Sequence, residues 1–394
     1  MTRAAVLPPA ARDELLSDAM LDADELALRV RIREVVDRHV APRAAEIDRD
    51  RTFAHESYQA LARAGLAGLL FPPELGGSGH STVAYATAME EIAAACGATS
   101  LIYMTQMHTA YPIHLAGTEV QRRRYIPGLC NGERYGSLAI TEPDAGSDVA
   151  ALRTAARRDG DHYVLDGTKT FITTGDRSDV IICFTTVDRM AGRDGLTAFI
   201  VEGDNPGLSR GRTLRKMGMH ASTTAELFLN GAWVPAAARL GPEGGAWALV
   251  MRSVVKSRIS AAAQGLGLAR GAYTRALSAV AGPEIGEEVE FELASLRARL
   301  VEARLLLLAT ARAVDRDDTL TAEVSMAKLR CTDLALDVAL TAAELLGAAG
   351  DLAEFEVERY VRDAKVTQIY DGTNEVQRLI IARDTRRRLR GWGE

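Results

Sequence analysis

The spacing of apolar residues changes twice along this 394-residue chain, and these changes constrain its fold more than any other feature. From about 20 to 134, apolar residues recur at helical spacing, as in the segments Asp24 to His39 and Ser81 to Cys96. From about 135 to 240, short runs of β-branched and aromatic residues replace them, and helical spacing returns over 241–394. The pattern predicts an α+β, mostly α protein in which a small antiparallel β domain separates two helical domains.

The clearest secondary-structure candidates lie in the second and third blocks. Three strands are predicted over Val180 to Thr186, Leu196 to Glu202 and Ala225 to Val234. The run from His162 to Thr173 is predicted to be a hairpin with its turn at Asp166-Gly167. The strongest helix covers Ala294 to Val314, and its apolar stripe is either bundle core, which we favour, or a subunit interface.

The composition argues against several classes of protein. A formal net charge of −6 gives no electrostatic footprint for nucleic acid. No run approaches the about 18 apolar residues that span a bilayer, and the first residues lack the apolar core of a signal peptide. The four cysteines form no CxxC pair and the seven histidines are scattered, which predicts a cytoplasmic protein without disulfides or a metal site.

Two short motifs are better explained as parts of helices. The glycines Gly265, Gly267 and Gly271 resemble a dinucleotide fingerprint, but their spacing is wrong and no strand precedes them. The pair Ser325 and Lys328 matches a serine–lysine catalytic pattern but lacks its companion motifs, so an ordinary helix face is favoured.

The segment from Leu138 to Asp148 is the most informative part of the chain. Gly146 lets a backbone approach a flat ligand closely, and Thr141 and Ser147 supply hydroxyl groups. Successive N–H groups in such a turn can hold anionic or carbonyl oxygens. Taken alone, the segment is better explained as a capped turn than as a binding site.

Three further segments carry residues suited to a ring system and its polar tail. The second, Asp166 to Gly175, places Phe171 and Thr173 on a strand, where they either flank a ring or fill the domain core. The third is Lys216 to Thr224, and the fourth is Glu358 to Arg378.

In this order and spacing, the four segments resemble the acyl-CoA dehydrogenase family. The resemblance extends from about Asp24 to Arg387. It implies that the third domain is a four-helix bundle, that FAD is the cofactor and that the chain is an enzyme. It also implies an acyl-CoA or acyl-carrier-protein substrate, an electron-transferring flavoprotein or similar acceptor, and a homo-oligomer, either a tetramer or a dimer.

The family's reaction is the α,β-dehydrogenation of an acyl thioester to the trans-2-enoyl thioester. A carboxylate removes the α-hydrogen as a proton while the β-hydrogen leaves as hydride to flavin N5. Such a base needs burial, so that its pKa climbs toward the operating pH. The resemblance implies that Asp371 is this base, because it falls where many members keep a glutamate.

The resemblance also assigns the other site residues by position. Those expected to bind the cofactor are Leu138, Ile140, Thr141, Gly146, Ser147, Phe171, Ile172, Thr173, Glu344, Gly347, Thr373 and Glu375. Those expected to bind the substrate are Ser147, Arg258, Tyr370 and Gly372.

The sequence departs from the family pattern at several of these positions. Asp371 is one methylene shorter than glutamate, and Ser257 occupies the alternative position at which some members carry the base. A Glu-Arg-x-x-Phe-Gly segment, whose arginine holds the FAD diphosphate, is missing from the stretch between Ser278 and Ile285. Glu344 replaces a glutamine, and His220 stands where an arginine is common. We therefore expect FAD to be bound more weakly or through different contacts.

Two other functions are compatible with these features. Nitroalkane oxidases resemble this family and use an aspartate as base, so Asp371 favours an oxidase or monooxygenase on the same fold. A flavin-binding paralogue without catalytic activity is favoured by the missing arginine. The alternative to a catalytic role is that Asp371, which precedes Gly372, only caps a turn.

Overall fold

The computed structural model describes residues 16–280, 285–317 and 319–390 of the chain. The first fifteen residues, on which the expectation about a signal peptide rests, lie outside this description. The α-helices in the described residues are α1 (Ala23–His39), α2 (Ala44–Arg49), α3 (His55–Arg63), α4 (Thr82–Ala95), α5 (Gly97–Ala116), α6 (Glu119–Cys130), α7 (Ala246–Val280), α8 (Glu287–Val314), α9 (Thr321–Leu345), α10 (Val357–Thr367) and α11 (Asn374–Arg390). The strands are β1 (Gly136–Ala139), β2 (Ala155–Asp159), β3 (His162–Thr173), β4 (Val180–Thr186), β5 (Leu196–Glu202), β6 (Leu208–Arg210), β7 (Thr224–Pro235) and β8 (Arg239–Leu240).

This architecture confirms the predicted fold class, with helices on both sides of a central β region. The strands form one sheet in the order β6-β7-β3-β2-β4-β5-β8, and β1 pairs with β4. Most pairs are antiparallel, as expected, but β1 and β2 each run parallel to β4, with Gly136 opposite Val180 and Ala155 opposite Thr186. Because β1 follows directly from α6, this pairing brings the segment after β1 to the edge of the helical domain.

The hairpin predicted at Asp166-Gly167 is wrong, because β3 continues through both residues. Gly167 lies at an irregularity in the pairing of β3 with β7, and Asp166 accepts a hydrogen bond of 2.7 Å from the N–H of Gly231 across that pair. The turn lies instead at Gly160-Asp161, which joins β2 to β3. Gly160 has a φ of +61°, the left-handed conformation that a two-residue hairpin turn demands.

The 35-residue helix α7 runs through the helical core between α4 and α9. Its glycines permit this contact: a Cβ at Gly267 would lie 2.4 Å from the carbonyl oxygen of Glu90, and one at Gly271 would lie 2.4 Å from that of Ala94. The glycine motif therefore serves helix packing, in agreement with its placement in a helix.

A buried ion network joins the first helical region to the C-terminal bundle. Arg304 of α8 is fully buried and its Nε lies 3.0 Å from Glu90 of α4. Arg270 of α7 also contacts Glu90, at 3.0 Å, and Glu91, at 2.7 Å. On the same helix as Arg304, Leu296 and Leu307 are fully buried, so the apolar stripe of α8 faces the core.

The described residues were compared with what a membrane-spanning helix and a metal site require in length, polarity and ligands. None of the helices combines the length and apolar character that crossing a bilayer requires. No cluster of three His, Cys, Asp or Glu side chains in the described part of the chain could hold a metal ion. All four cysteines are buried and free.

Candidate active site

A buried ion pair joins the first and second sequence segments. Lys169 of β3 is fully buried, and its Nζ lies 2.8 Å from Glu142 and 3.0 Å from the carbonyl oxygen of Ile140. Glu142, itself 5% exposed, also accepts hydrogen bonds from the backbone N–H groups of Arg153, at 2.7 Å, and Thr154, at 2.9 Å. Burial raises the pKa of Glu142, but the Lys169 ammonium and the hydrogen bonds outweigh it, so that the pKa is lowered. These contacts fix the loop after β1 against β3.

This pair brings Thr141 and Phe171 together. The N–H of Thr170 donates to the carbonyl oxygen of Thr141 at 2.9 Å, which places Phe171 next to the loop. Phe171 is 68% exposed although it is a large apolar residue, and it has a φ of +57° that turns its ring away from the β core. Ser147 and Gly146 are exposed on the same loop, and Thr173 is half-buried.

These features fit the isoalloxazine ring of a flavin. An exposed aromatic plate on a locally strained strand, flanked by hydroxyl groups on an adjacent loop, offers both a stacking surface and hydrogen bonds to a flat polar ring. Leu138 and Ile140 are half-buried beside this surface. Ile172 is buried in the β core, so only its backbone can reach a ring.

The residues predicted to hold the rest of the cofactor lie at two other places. Thr373 precedes the 17-residue helix α11 and accepts a hydrogen bond from the N–H of Val376, while Glu375 is exposed in the first turn. Glu344 and Gly347 are exposed at the C-terminal end of α9. The arginine segment is missing from the stretch between Ser278 and Ile285. Within this stretch, 281–284 lie outside the described residues.

Asp371 lies in the short loop between α10 and α11. It has a φ of +54°, and Gly372 follows with a φ of +88°. The Asp371 Oδ2 atom is buried and has no hydrogen-bond partner among the described residues. A carboxylate oxygen in this state is costly to bury, which is characteristic of a group kept available for a ligand.

A second unpaired charge lies near this carboxylate. Arg258 of α7 is 7% exposed, and its Nε and Nη1 atoms are buried without a hydrogen-bond partner in the described structure. Burial lowers the pKa of Arg258 to about 10, while the charge of Asp371 acts in the opposite direction. The guanidinium therefore has unused donors close to the predicted base.

Polar side chains from three helices surround these two charges. The hydroxyl of Tyr85 lies 3.0 Å from that of Ser260, which is also 3.3 Å from Nε2 of His108. Burial raises the pKa of Tyr85 and lowers that of His108, and in both cases the charge of Asp371 raises the pKa. On the other side, Tyr370 donates to Gln264, whose amide donates to Ser100 at 2.8 Å.

The third sequence segment has a structural role in this arrangement. A Cβ at Gly218 would lie 2.3 Å from the carbonyl oxygen of Arg362, so this loop packs directly on α10. The N–H of Met219 donates to the buried carboxylate of Asp363, and burial raises the pKa of Asp363 to about 6. His220 lies 3.3 Å from Asp48, which also pairs with Arg362 at 2.6 Å.

Sequence reasoning missed three residues that hold the site together. Glu142 and Lys169 lie inside predicted segments but have no predicted role, and Lys328 is predicted to lie on an ordinary helix face. Lys328 is fully buried and bonds to the loop that carries Asp371. A signal was present: Val324, Lys328 and Cys331 recur at helical spacing, so a single lysine interrupts a stripe of apolar residues.

The helical–β–helical fold, an exposed aromatic ring and a carboxylate with a buried, unpartnered oxygen fit a flavin-dependent oxidoreductase. Sequence profiles of the acyl-CoA dehydrogenase N-terminal, middle and C-terminal domains match residues 22–133, 137–232 and 244–385. The chain therefore belongs to the acyl-CoA dehydrogenase family, and it is an oxidoreductase. This family is FAD-dependent, so FAD is the cofactor, as the sequence resemblance implied.

Individual relatives agree with this assignment. The short-chain-specific acyl-CoA dehydrogenase of Clostridium acetobutylicum is 36% identical over 375 residues, which cover 93% of this chain and 98% of the relative. The butyryl-CoA dehydrogenase of Megasphaera elsdenii superposes with a TM-score of 0.89 at 32% identity, covering 93% of this chain and 98% of the other. The prolyl acyl carrier protein oxidase AnaB superposes with a TM-score of 0.89 at 30% identity, covering 93% and 99%.

Proposed function

We propose that the chain dehydrogenates a short acyl thioester between its α and β carbons, with Asp371 as the base. The observation that carries this proposal is the buried, unpartnered Oδ2 atom of Asp371. Removal of an α-proton requires an acceptor oxygen within hydrogen-bond reach of the substrate, and an oxygen without a protein partner is available for it. FAD accepts the β-hydrogen as hydride when it is bound.

The surrounding residues prepare Asp371 for this role. The Nε and Nη1 atoms of Arg258 have no protein partner in the described structure and remain available to an oxygen of the substrate. Tyr370 is anchored to Gln264, so the residue before the base cannot swing away from the site. We propose that Ser147 and Gly372 also contact the substrate, as the family resemblance implies.

We propose a short acyl chain because polar side chains from α4, α5 and α7 lie near Asp371. Tyr85, Ser260 and His108 are each no more than 9% exposed and are bonded to one another. The named relatives also act on short or compact acyl groups, and both coenzyme A and carrier-protein thioesters occur among their names. We propose coenzyme A as the carrier.

The remaining assignments follow from the family. We propose an electron-transferring flavoprotein as electron acceptor, a cytoplasmic location and a homo-oligomeric assembly. Exposed large apolar side chains on the C-terminal helices, such as Phe291 at 63% and Leu379 at 54%, support an assembly. Because Glu344 adds an exposed acid at a predicted diphosphate contact, we propose that FAD binds more weakly than with the usual glutamine.

Anaerobic mixing of the FAD-loaded protein with a panel of acyl-CoA thioesters tests the reaction. We expect butyryl-CoA to bleach the flavin absorbance near its visible maximum, with slow reoxidation when air is admitted. An oxidase on the same fold, which the aspartate base and the resemblance to a carrier-protein oxidase favour, would instead release peroxide rapidly in air. Failure of every thioester, including carrier-protein thioesters, to bleach the flavin would contradict the proposal.

A further inference from the structure

Lys328 of α9 is a buried lysine that bonds to the loop of Asp371. Its Nζ donates to the carbonyl oxygen of Gly372 at 3.0 Å and to Oδ1 of Asn374 at 2.7 Å. The side chain is fully buried, and both of these acceptors are uncharged oxygens. A buried ammonium with only neutral oxygen partners is costly, so its retention in the core calls for a specific task.

Lys328 helps to fix the backbone of Asp371, the proposed catalytic base. Asp371 has a φ of +54°, a conformation that a non-glycine residue keeps only when its surroundings enforce it, at a cost of about 1 kcal/mol. The carbonyl oxygens of Asp371 and Gly372 accept hydrogen bonds from Nε2 of Gln377 at 3.3 and 2.8 Å. Lys328 supplies the second donor to Gly372, and it is the one that comes from a different helix.

The same lysine fixes the start of α11. Asn374, whose Oδ1 accepts from Lys328, donates through its amide nitrogen to Thr332 at 3.0 Å and to Asp333 at 2.7 Å. Both acceptors lie on α9, one turn beyond Lys328. The loop between α10 and α11 is therefore held against α9 at Gly372 and Asn374.

Charged groups around Lys328 reduce the cost of burying it. Burial lowers its pKa to about 8, while the charges of Asp371, Asp333 and Glu375 raise it and that of Arg258 lowers it. Asp371 is the largest of the favourable charges, so the lysine and the base stabilise each other across the loop.

We propose that Lys328 is the positioning residue that holds Asp371 in its left-handed conformation and thereby aims the carboxylate at the α-carbon of the substrate. This inference rests on the proposed function of Asp371 as base. A displacement of about 1 Å at the carboxylate can slow proton abstraction on the order of 10²-fold. Lys328 does not touch the reacting atoms and acts only through the position of Asp371. Its removal is therefore expected to slow the chemical step and to leave substrate affinity unchanged.

The test compares Lys328→Met with Lys365→Met in the FAD-loaded full chain. Lys365 is an exposed lysine on α10 whose Nζ contacts Gln368 at 3.0 Å, so it controls for the loss of a lysine near the same loop. In anaerobic stopped-flow mixing with butyryl-CoA, we expect Lys328→Met to lower the limiting rate of flavin reduction about 10- to 100-fold while the apparent Kd stays within about twofold. Lys365→Met should match the wild type in both quantities.

A second measurement does not depend on catalysis. Hydrogen–deuterium exchange of the peptide covering 368–378 should become faster in Lys328→Met and remain unchanged in Lys365→Met. Methylammonium should partly restore the reduction rate of Lys328→Ala, because it can occupy the position of the lost head group. If Lys328→Met does not fold, Lys328→Gln removes the charge with less loss of volume, and it should show the same loss of rate.

The outcomes separate this inference from the proposed function. If no thioester bleaches the flavin of the wild-type protein, the proposed role of Asp371 is contradicted. Hydrogen–deuterium exchange of 368–378 then still tests whether Lys328 holds the loop in place. Wild-type reduction rates in Lys328→Met and Lys328→Gln would overturn the inference, as would a loss confined to Kd or to FAD content.

Discussion

Replacing Lys169 by methionine should destabilise the protein strongly, because it leaves a buried charge without its partner. Lys169 is fully buried and Glu142 is 5% exposed, and their Nζ–Oε1 distance is 2.8 Å. Breaking such a pair from one side costs about 3–5 kcal/mol. Glu142 retains the N–H groups of Arg153 and Thr154, which places the expected loss toward the lower end of that range.

The assay is equilibrium unfolding of the FAD-loaded protein in urea at pH 7.5, followed by circular dichroism. Arg123→Met is the matched control, since Arg123 forms an exposed pair with Glu119 whose side chains are 64% and 58% exposed. Such a surface pair contributes well under about 1 kcal/mol. The double variant Lys169→Met/Glu142→Gln removes both charges and should recover about half of the loss.

Acidification provides a second check on the same pair. The Lys169 ammonium and the hydrogen bonds hold the pKa of Glu142 below its usual 4.5, so the unfolded state takes up the proton first. The pair's contribution is complete above about pH 4.5 and is lost as the pH falls through the folded-state pKa. A Lys169→Met variant as stable as Arg123→Met at pH 7.5, with an unchanged acid transition, would refute this reasoning.

Three further predictions concern other parts of the molecule. Burial raises the pKa of Asp363 to about 6, so ionisation of this carboxyl lowers the free energy of unfolding by about 3 kcal/mol at pH 7 and has no effect below its usual pKa of 3.8. Asp363→Asn lacks this cost, so it should become more stable relative to the wild type as the pH rises from 4 to 7, as measured by urea unfolding at each pH. Gly271→Ala should lower the free energy of unfolding by more than about 2 kcal/mol, because the new Cβ would lie 2.4 Å from a backbone oxygen. Gly286→Ala is the control: its Cβ would meet open space, so it should cost about 1 kcal/mol or less in the same assay. Phe171→Ala should weaken FAD binding about three- to tenfold in a fluorescence titration, since the exposed ring is lost without a change in the β core.

Local signals in the sequence were sufficient for most elements. Helix α1 begins after the N-cap Asp22 and α4 after the N-cap Ser81, and both occupy the predicted stretches. Strands β4 and β5 have the predicted bounds, because unbroken β-branched and apolar runs define a strand buried on both faces. The extents assigned to the three domains, 20–134, 135–240 and 241–394, stay predictions.

Contacts between distant segments could not be predicted from local sequence patterns. The Asp166-Gly167 pair has the composition of a hairpin turn, but pairing of β3 with β7 keeps it extended. Lys328 looks like a surface residue by type, and only the approach of the loop at Gly372, 44 residues later, gives it a partner. In the same way, Glu142 and Lys169 are 27 residues apart in the sequence. They come into contact because β1 pairs in parallel with β4 and β3 lies beside the loop that follows β1.

The most direct test of the catalytic assignment is the rate at which butyryl-CoA reduces the flavin of Asp371→Asn. The amide has nearly the same shape as the carboxylate but cannot accept the proton, so we expect the rate to fall by about 10²–10⁴-fold while the visible spectrum still shows bound FAD. Glu354→Gln, which alters an exposed acid on the loop between α9 and α10, should reduce its flavin at the wild-type rate. Reduction of Asp371→Asn as fast as the wild type would contradict the assignment of position 371 as the base.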